Sequence, residues 1–175
     1  MKILQVNLRL LAGWRLYLVV VGISIVEPTF AQKHSFNWND TTFRIGSIRI
    51  VHLSRAFDGP CTVKPCYDYR NNKSVYDTIV SFLNRNQKIS VAFLWHTRTI
   101  ETPDYNLAIS KRMAAGIIAE LVRQGIDTNR LSAIGLGESM PIINEEELNA
   151  IKDHKERSHA DRSNERVEII ILATR

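Results

Sequence analysis

Side chains able to do chemistry fall into a few groups. Cys61 and Cys66 are the only cysteines. The four residues between them do not match the C-x-x-C spacing of redox motifs, and no further cysteine exists to complete a zinc site. In an oxidising compartment the pair reads as a structural disulfide, with redox chemistry as the alternative. Closing so short a loop would stabilise the fold by roughly 2 kcal/mol on chain-entropy grounds. Trp95-His96-Thr97-Arg98 ends an alternating apolar run and offers an imidazole, a hydroxyl and a guanidinium in succession. His96 has no visible nucleophile to serve as a base, so a hydrogen-bonded strand-end histidine is the plainer reading. Ser110 lies in a helical pattern with no histidine placed to activate it. His154 and His159 are five apart in a charged segment and do not share a helical face, so no metal site is expected. Gly135-Leu136-Gly137 lacks the third glycine and following helix of a phosphate loop. These groups imply neither catalysis nor a cofactor.

Lys2, Arg9 and Arg15 precede an apolar run over 16–26; Pro28 breaks it, and Thr29-Phe30-Ala31 ends in a small residue. Residues 1–31 therefore read as a signal peptide, cleaved before Gln32. A membrane anchor would need about 20 apolar residues, and this run has 11. No cysteine follows the cleavage site to take a lipid. Export to the periplasm or outer membrane is expected, with no span in the mature chain. Without residues 1–31 there are 20 basic and 17 acidic residues, so the formal charge falls from +5 to +3. Such a charge does not argue for nucleic acid. It is compatible with an anionic polymer such as the cell wall. The remaining 144 residues suffice for one domain with a proper core.

Periodicity supplies the elements that must position these groups. Residues 32–42 form a polar, loose lead-in that carries Trp38. A strand is expected over 43–53: Phe43 and Ile45 share one phase, Ile48 and Ile50 the other, with a bulge at Gly46-Ser47. Residues 54–72 are turn-rich. A helix over 74–86, capped by Ser74 with Asp77, buries Val75, Ile79, Val80, Phe82 and Leu83. Ile89, Val91, Phe93 and Trp95 alternate along a strand over 89–95. A helix after Tyr105 carries an apolar stripe of Leu107, Ala114, Ile117, Ile118, Leu121 and Val122. Gly125 stops it in a left-handed conformation, with Ile126 folding back over the last turn. A short strand covers 131–135. Asn144 caps a charged surface helix within 144–161, pinned by Leu148 and Ile151. Val167 to Leu172 is apolar on both faces and belongs in the middle of a sheet. The pattern predicts one α+β domain.

Several separated pieces share an order and spacing. Tyr105, Asn106, Ser110 and Ala114 open the long helix; Gly125, Ile126, Arg130 and Leu131 follow it; then come Gly135, Gly137, Glu138 and Pro141, and finally Asn164, Arg166, Val167, Glu168 and Ile169. This pattern resembles the OmpA-like domain, the peptidoglycan-associating module of bacterial envelopes, over 43–172. The resemblance implies a β-α-β-α-β-(α)-β domain over 43–175. Its sheet would be mixed and four-stranded in the order 1-4-2-3, strand 4 antiparallel, with helices packed on one face.

The same resemblance implies a ligand site at His96, Thr97, Arg98, Asn106, Ser110, Met113 and Arg166, with three departures. Arg98 stands where the family has an aspartate that holds the ammonium of diaminopimelate. An arginine repels that group. Met113 stands at the family's ligand-binding arginine and cannot make its bidentate contact to a carboxylate. Glu165 replaces the first arginine of N-R-R-V-E. Two readings follow. In one, the domain grips peptidoglycan or another anionic envelope component, with Arg98 and Arg166 offered to an anion. In the other, a degenerate module serves a structural or protein-interaction role.

Overall fold

The computed structural model describes residues 34–53, 69–99 and 101–174. The expected signal peptide and both cysteines, Cys61 and Cys66, lie outside the described residues. Among the described residues, four strands and four helices follow in order: β1 (Ile48–Val51), α1 (Tyr69–Arg85), β2 (Ile89–His96), α2 (Pro103–Arg123), β3 (Leu131–Gly137), α3 (Glu145–Ala150), α4 (His154–Arg162) and β4 (Arg166–Thr174). A 3-10 turn, Thr128–Arg130, leads into β3. The sheet order is β1-β4-β2-β3, as the family pattern implied. β2 and β3 run parallel, joined by the α2 crossover, and β4 lies antiparallel between β1 and β2.

Alternation decides which face of the sheet is covered. Val91, Phe93 and Trp95 of β2 and Val167, Ile169 and Ile171 of β4 share one core with Tyr76, Ile79, Phe82 and Leu83 of α1 and Ile109, Met113, Ile117 and Leu121 of α2. The two long helices therefore pack on one face. The intervening residues Ala92, Leu94 and His96, opposite Ile170, Glu168 and Arg166, lie on the other.

Several sequence expectations are revised. The strand predicted over 43–53 shortens to 48–51. Ahead of it lies a turn in which Gly46 has φ +85° and Ser47 N–H donates to Arg44 O. The lead-in is packed rather than loose: Phe36 is buried and stacks on Phe82 at 5.2 Å, while Trp38 and Phe43 meet the same ring edge-on. Aromatic burial of this size outweighs the polar character of the neighbouring residues. Ser74 is interior to α1 and caps nothing, since the helix already begins at Tyr69; Asp77 pairs instead with Lys73 at 2.6 Å. The stripe of α2 is rotated. Leu107 and Val122 are exposed, and Asn106, Ile109, Ser110 and Met113 are buried in their place. Polar atoms satisfied inside the fold can occupy a buried face that hydrophobicity alone would not assign to them.

Other local signals match the geometry. Gly125 has φ +89°. Gly125 N–H donates to Val122 O at 2.9 Å and Ile126 N–H to Leu121 O at 3.0 Å, the two bonds of a Schellman stop. Asn144 and Glu147 form a reciprocal capping box at the start of α3. The charged segment is two helices rather than one, and Asp153 caps the second. Arg130 reaches back across the sheet: Nε donates to Ile89 O at 2.9 Å, and Nη2 to Leu83 O at 2.8 Å and Asn86 O at 2.9 Å. One guanidinium thus closes the end of α1 and the start of β2. Gly135 is required by close approach. A Cβ there would fall 2.1 Å from Lys111 N and 2.4 Å from Ser110 C, so α2 crosses β3 with its backbone against the strand.

Candidate functional site

The residues singled out in the sequence meet at one end of the sheet. Parallel pairing brings the C-terminal ends of β2 and β3 together, and the antiparallel β4 starts beside them. The α2 crossover returns its first turns over the same end. Thr97 N–H donates to Gly137 O at 2.9 Å and Gly137 N–H donates to Ser110 Oγ at 2.9 Å, linking strand end, loop and helix. Ser110 Oγ also donates to Leu107 O at 2.9 Å. Its hydroxyl is spent on positioning, with no base beside it. Asn106 Nδ2 donates to the Glu138 carboxylate and to Glu101 O. Asn106 is 2% exposed, so the start of α2 is tied to the end of β3 by a buried side chain.

On the face away from the long helices, Arg166 and Glu168 form a buried ion pair. Nε and Nη2 of Arg166 donate to Glu168 Oε1 at 2.9 and 2.8 Å. Arg166 donates further to Asn164 O and Met140 O at 3.2 Å each. His96 Nε2 lies 3.7 Å from the same Glu168 oxygen and is 1% exposed. Arg166, expected to face an incoming anion, is thus 4% exposed and committed to protein acceptors. A buried guanidinium needs a compensating carboxylate, and Glu168 supplies it.

Arg98 sits differently. Its Nε lies 3.0 Å from Glu165 Oε2, with side chains 21% and 16% exposed. This is an ion pair at the rim, close in distance without an aligned hydrogen bond. The flanking loop is pinned by Asp161, whose Oδ1 accepts from Thr99 N, Thr99 Oγ1 and Asn164 Nδ2. Asn164 in turn accepts from Ile142 N and Ile143 N. His52 Nδ1 reaches Glu165 O at 3.0 Å from the end of β1. Thr97 is 2% exposed and its Oγ1 has no hydrogen-bond partner among the described residues. Met113 is 1% exposed inside the apolar core and joins none of these polar contacts.

The structure therefore gathers His96, Thr97, Arg98, Asn106, Ser110 and Arg166 at one end of the sheet and leaves Met113 to the core. Sequence reasoning did not foresee Asp161 as the anchor of the Arg98 loop, since its partners are distant in the chain. The Arg98–Glu165 contact did have a signal: the two departures from the family pattern are opposite in sign. No group of three or more metal-ligating side chains occurs among the described residues. No helix among them is long and apolar enough to cross a membrane.

No family model matches the chain. The peptidoglycan-associated lipoprotein of Haemophilus influenzae is 28% identical over 69 residues, 39% of this chain and 45% of that protein. The chain spans only 9%, 27% and 45% of the curated relatives it matches. Among solved structures, the peptidoglycan-associated lipoprotein of Burkholderia pseudomallei superposes with a TM-score of 0.51 at 18% identity, covering 71% of this chain and 90% of that one. The periplasmic domain of Helicobacter pylori MotB gives 0.53 at 16% identity, covering 75% and 79%. Strand order, α2 crossover and the pattern from Tyr105 to Glu138 coincide on one scaffold, and the chain is a divergent representative of the OmpA-like fold.

Proposed function

We propose that this chain is a non-catalytic, exported domain of the cell envelope that associates with peptidoglycan or a related anionic envelope polymer. The observation that carries this reading is the convergence of the β2 end, the start of α2 and the start of β4 on one partly exposed site. The scaffold is shared with two proteins whose names place them on peptidoglycan or in the periplasm. Residues 1–31 read as an export signal, and a Cys61–Cys66 disulfide fits the compartment it leads to. Candidate ligand-binding residues are His96, Thr97, Arg98, Asn106, Ser110 and Arg166; Asn106, Ser110 and Arg166 are supporting residues because their donors are spent on protein acceptors. Co-sedimentation of the purified protein with isolated sacculi tests the reading. Enrichment in the pellet supports it, and a protein that stays in the supernatant sinks it.

A specific observation favours a second reading. Met113 is buried and Arg166 is engaged, so two positions expected to meet a ligand do not present free charge. A degenerate module that docks on another envelope protein fits that economy. A pull-down from envelope extract that sacculi fail to compete would select it.

A further inference from the structure

The exchange of sign at positions 98 and 165 is more than the loss of a site. Both side chains remain at the rim, paired with each other. Oε2 of Glu165 lies 3.0 Å from Nε of Arg98. The terminal nitrogens of Arg98 hydrogen-bond to no other described residue. A guanidinium presents five donors in a planar fork, and its two terminal nitrogens suit a carboxylate bound through both oxygens. The loop that carries it is fixed on both sides: Thr97 N–H donates to Gly137 O, and Thr99 donates to Asp161. Next to it lies the buried, unpartnered hydroxyl of Thr97.

We infer that Arg98 is the ligand-binding residue of this site, that it takes a single carboxylate group, the free C-terminal carboxylate of a wall stem peptide, and that Glu165 is its positioning residue. The inference rests on the peptidoglycan reading above and names the group recognised. Glu165 neutralises the net charge of Arg98, so attraction acts through directed N–H donors at short range rather than a broad positive field. A carboxylate carries one charge over two oxygens and matches the fork. Repulsion from Glu165 grows with the charge of the ligand and so weighs more on a doubly charged phosphate than on a carboxylate. This polarity is the reverse of an acidic site built for an ammonium group.

Calorimetry on the purified protein tests the inference, with N-acetyl-L-lysyl-D-alanyl-D-alanine as probe and its C-terminal amide as control. The acid is expected to bind at least about tenfold more tightly than the amide. Arg98→Gln removes that ratio. Arg98→Lys removes most of it while keeping the charge, because an ammonium lacks the fork. Glu165→Gln lowers the ratio and, unlike the parent, lets inorganic phosphate compete; a purely structural Glu165 would change neither. Acid and amide binding alike, no binding of the acid, or an acid preference that survives Arg98→Gln overturns the inference. Sacculus sedimentation is run beside it. Pelleting without an acid preference overturns the Arg98 assignment alone. An acid preference without pelleting removes the wall as its source and overturns the peptidoglycan reading.

Discussion

Replacing Gly135 with alanine probes the contact that holds the site together. The added Cβ would lie 2.1 Å from Lys111 N and 2.5 Å from Lys111 Cα. Both are backbone atoms, so no rotamer change relieves the clash. Bringing the shortest of these contacts to 3.0 Å, the limit below which real Cβ contacts essentially never fall, moves α2 away from β3 by about 1 Å. A gap of that size forfeits a quarter to a half of each facing contact. The facing side chains Ile109, Met113, Ala114, Ile117 and Leu121 are all buried. The expected cost is about 3 kcal/mol, the upper part of the range for overpacked cores. Urea unfolding reads it: with a slope near 2 kcal/mol/M, the midpoint should fall by roughly 1.5 M. Gly125→Ala is the control. Gly125 has φ +89° with nothing within 4 Å, so only backbone strain of about 1–2 kcal/mol is expected. If Gly135→Ala destabilises no more than Gly125→Ala, the close approach of helix and strand is not what the glycine serves.

Three further outcomes are expected. Arg130→Met removes donors to Leu83 O, Asn86 O and Ile89 O; it should cost about 2–3 kcal/mol in thermal unfolding, and Arg130→Lys should recover little because one ammonium cannot span three carbonyls. Ser110→Ala strips Gly137 N–H of its acceptor and should cost about 1–3 kcal/mol, with hydrogen exchange rising first at Gly137. Glu120 has its pKa lowered chiefly by the hydrogen bond from Arg123, against burial, which raises it. A carboxylate with a depressed folded pKa contributes stability above its unfolded pKa and loses it as the pH falls through the folded one. Because Arg123 is largely exposed, the contribution is expected to be at most about 1 kcal/mol. Glu120→Gln should flatten that part of the acid stability curve, lowering neutral stability by up to the same amount and leaving stability below the folded pKa nearly unchanged.

Restoring the family's aspartate and arginine at positions 98 and 113 would not rebuild its site in this packing. Arg98→Asp alone would set a second carboxylate beside Glu165 and repel it. Met113→Arg would place a guanidinium where a side chain is 1% exposed among apolar neighbours. Such burial without a partner is strongly destabilising. Restoring the usual polarity therefore calls for exchange at 98 and 165 together.

Local order in the chain was enough to determine the alternation of β2 and β4, the Schellman stop at Gly125 and the Asn144 cap, while the strand order of the sheet came from the family resemblance that the spaced pattern from Tyr105 to Ile169 carries. These depend on neighbours a few residues apart, or on a pattern whose pieces keep their spacing. Tertiary structure alone decided that Phe36 belongs to the core, that α2 buries Asn106 and Ser110 while exposing Leu107, that Arg166 is spent on Glu168, and that Arg98 meets Glu165 across 67 positions of chain. Each of those outcomes turns on where a polar atom finds its partner. Buried hydrogen bonds and ion pairs join residues remote in sequence, and hydrophobic periodicity carries no information about them.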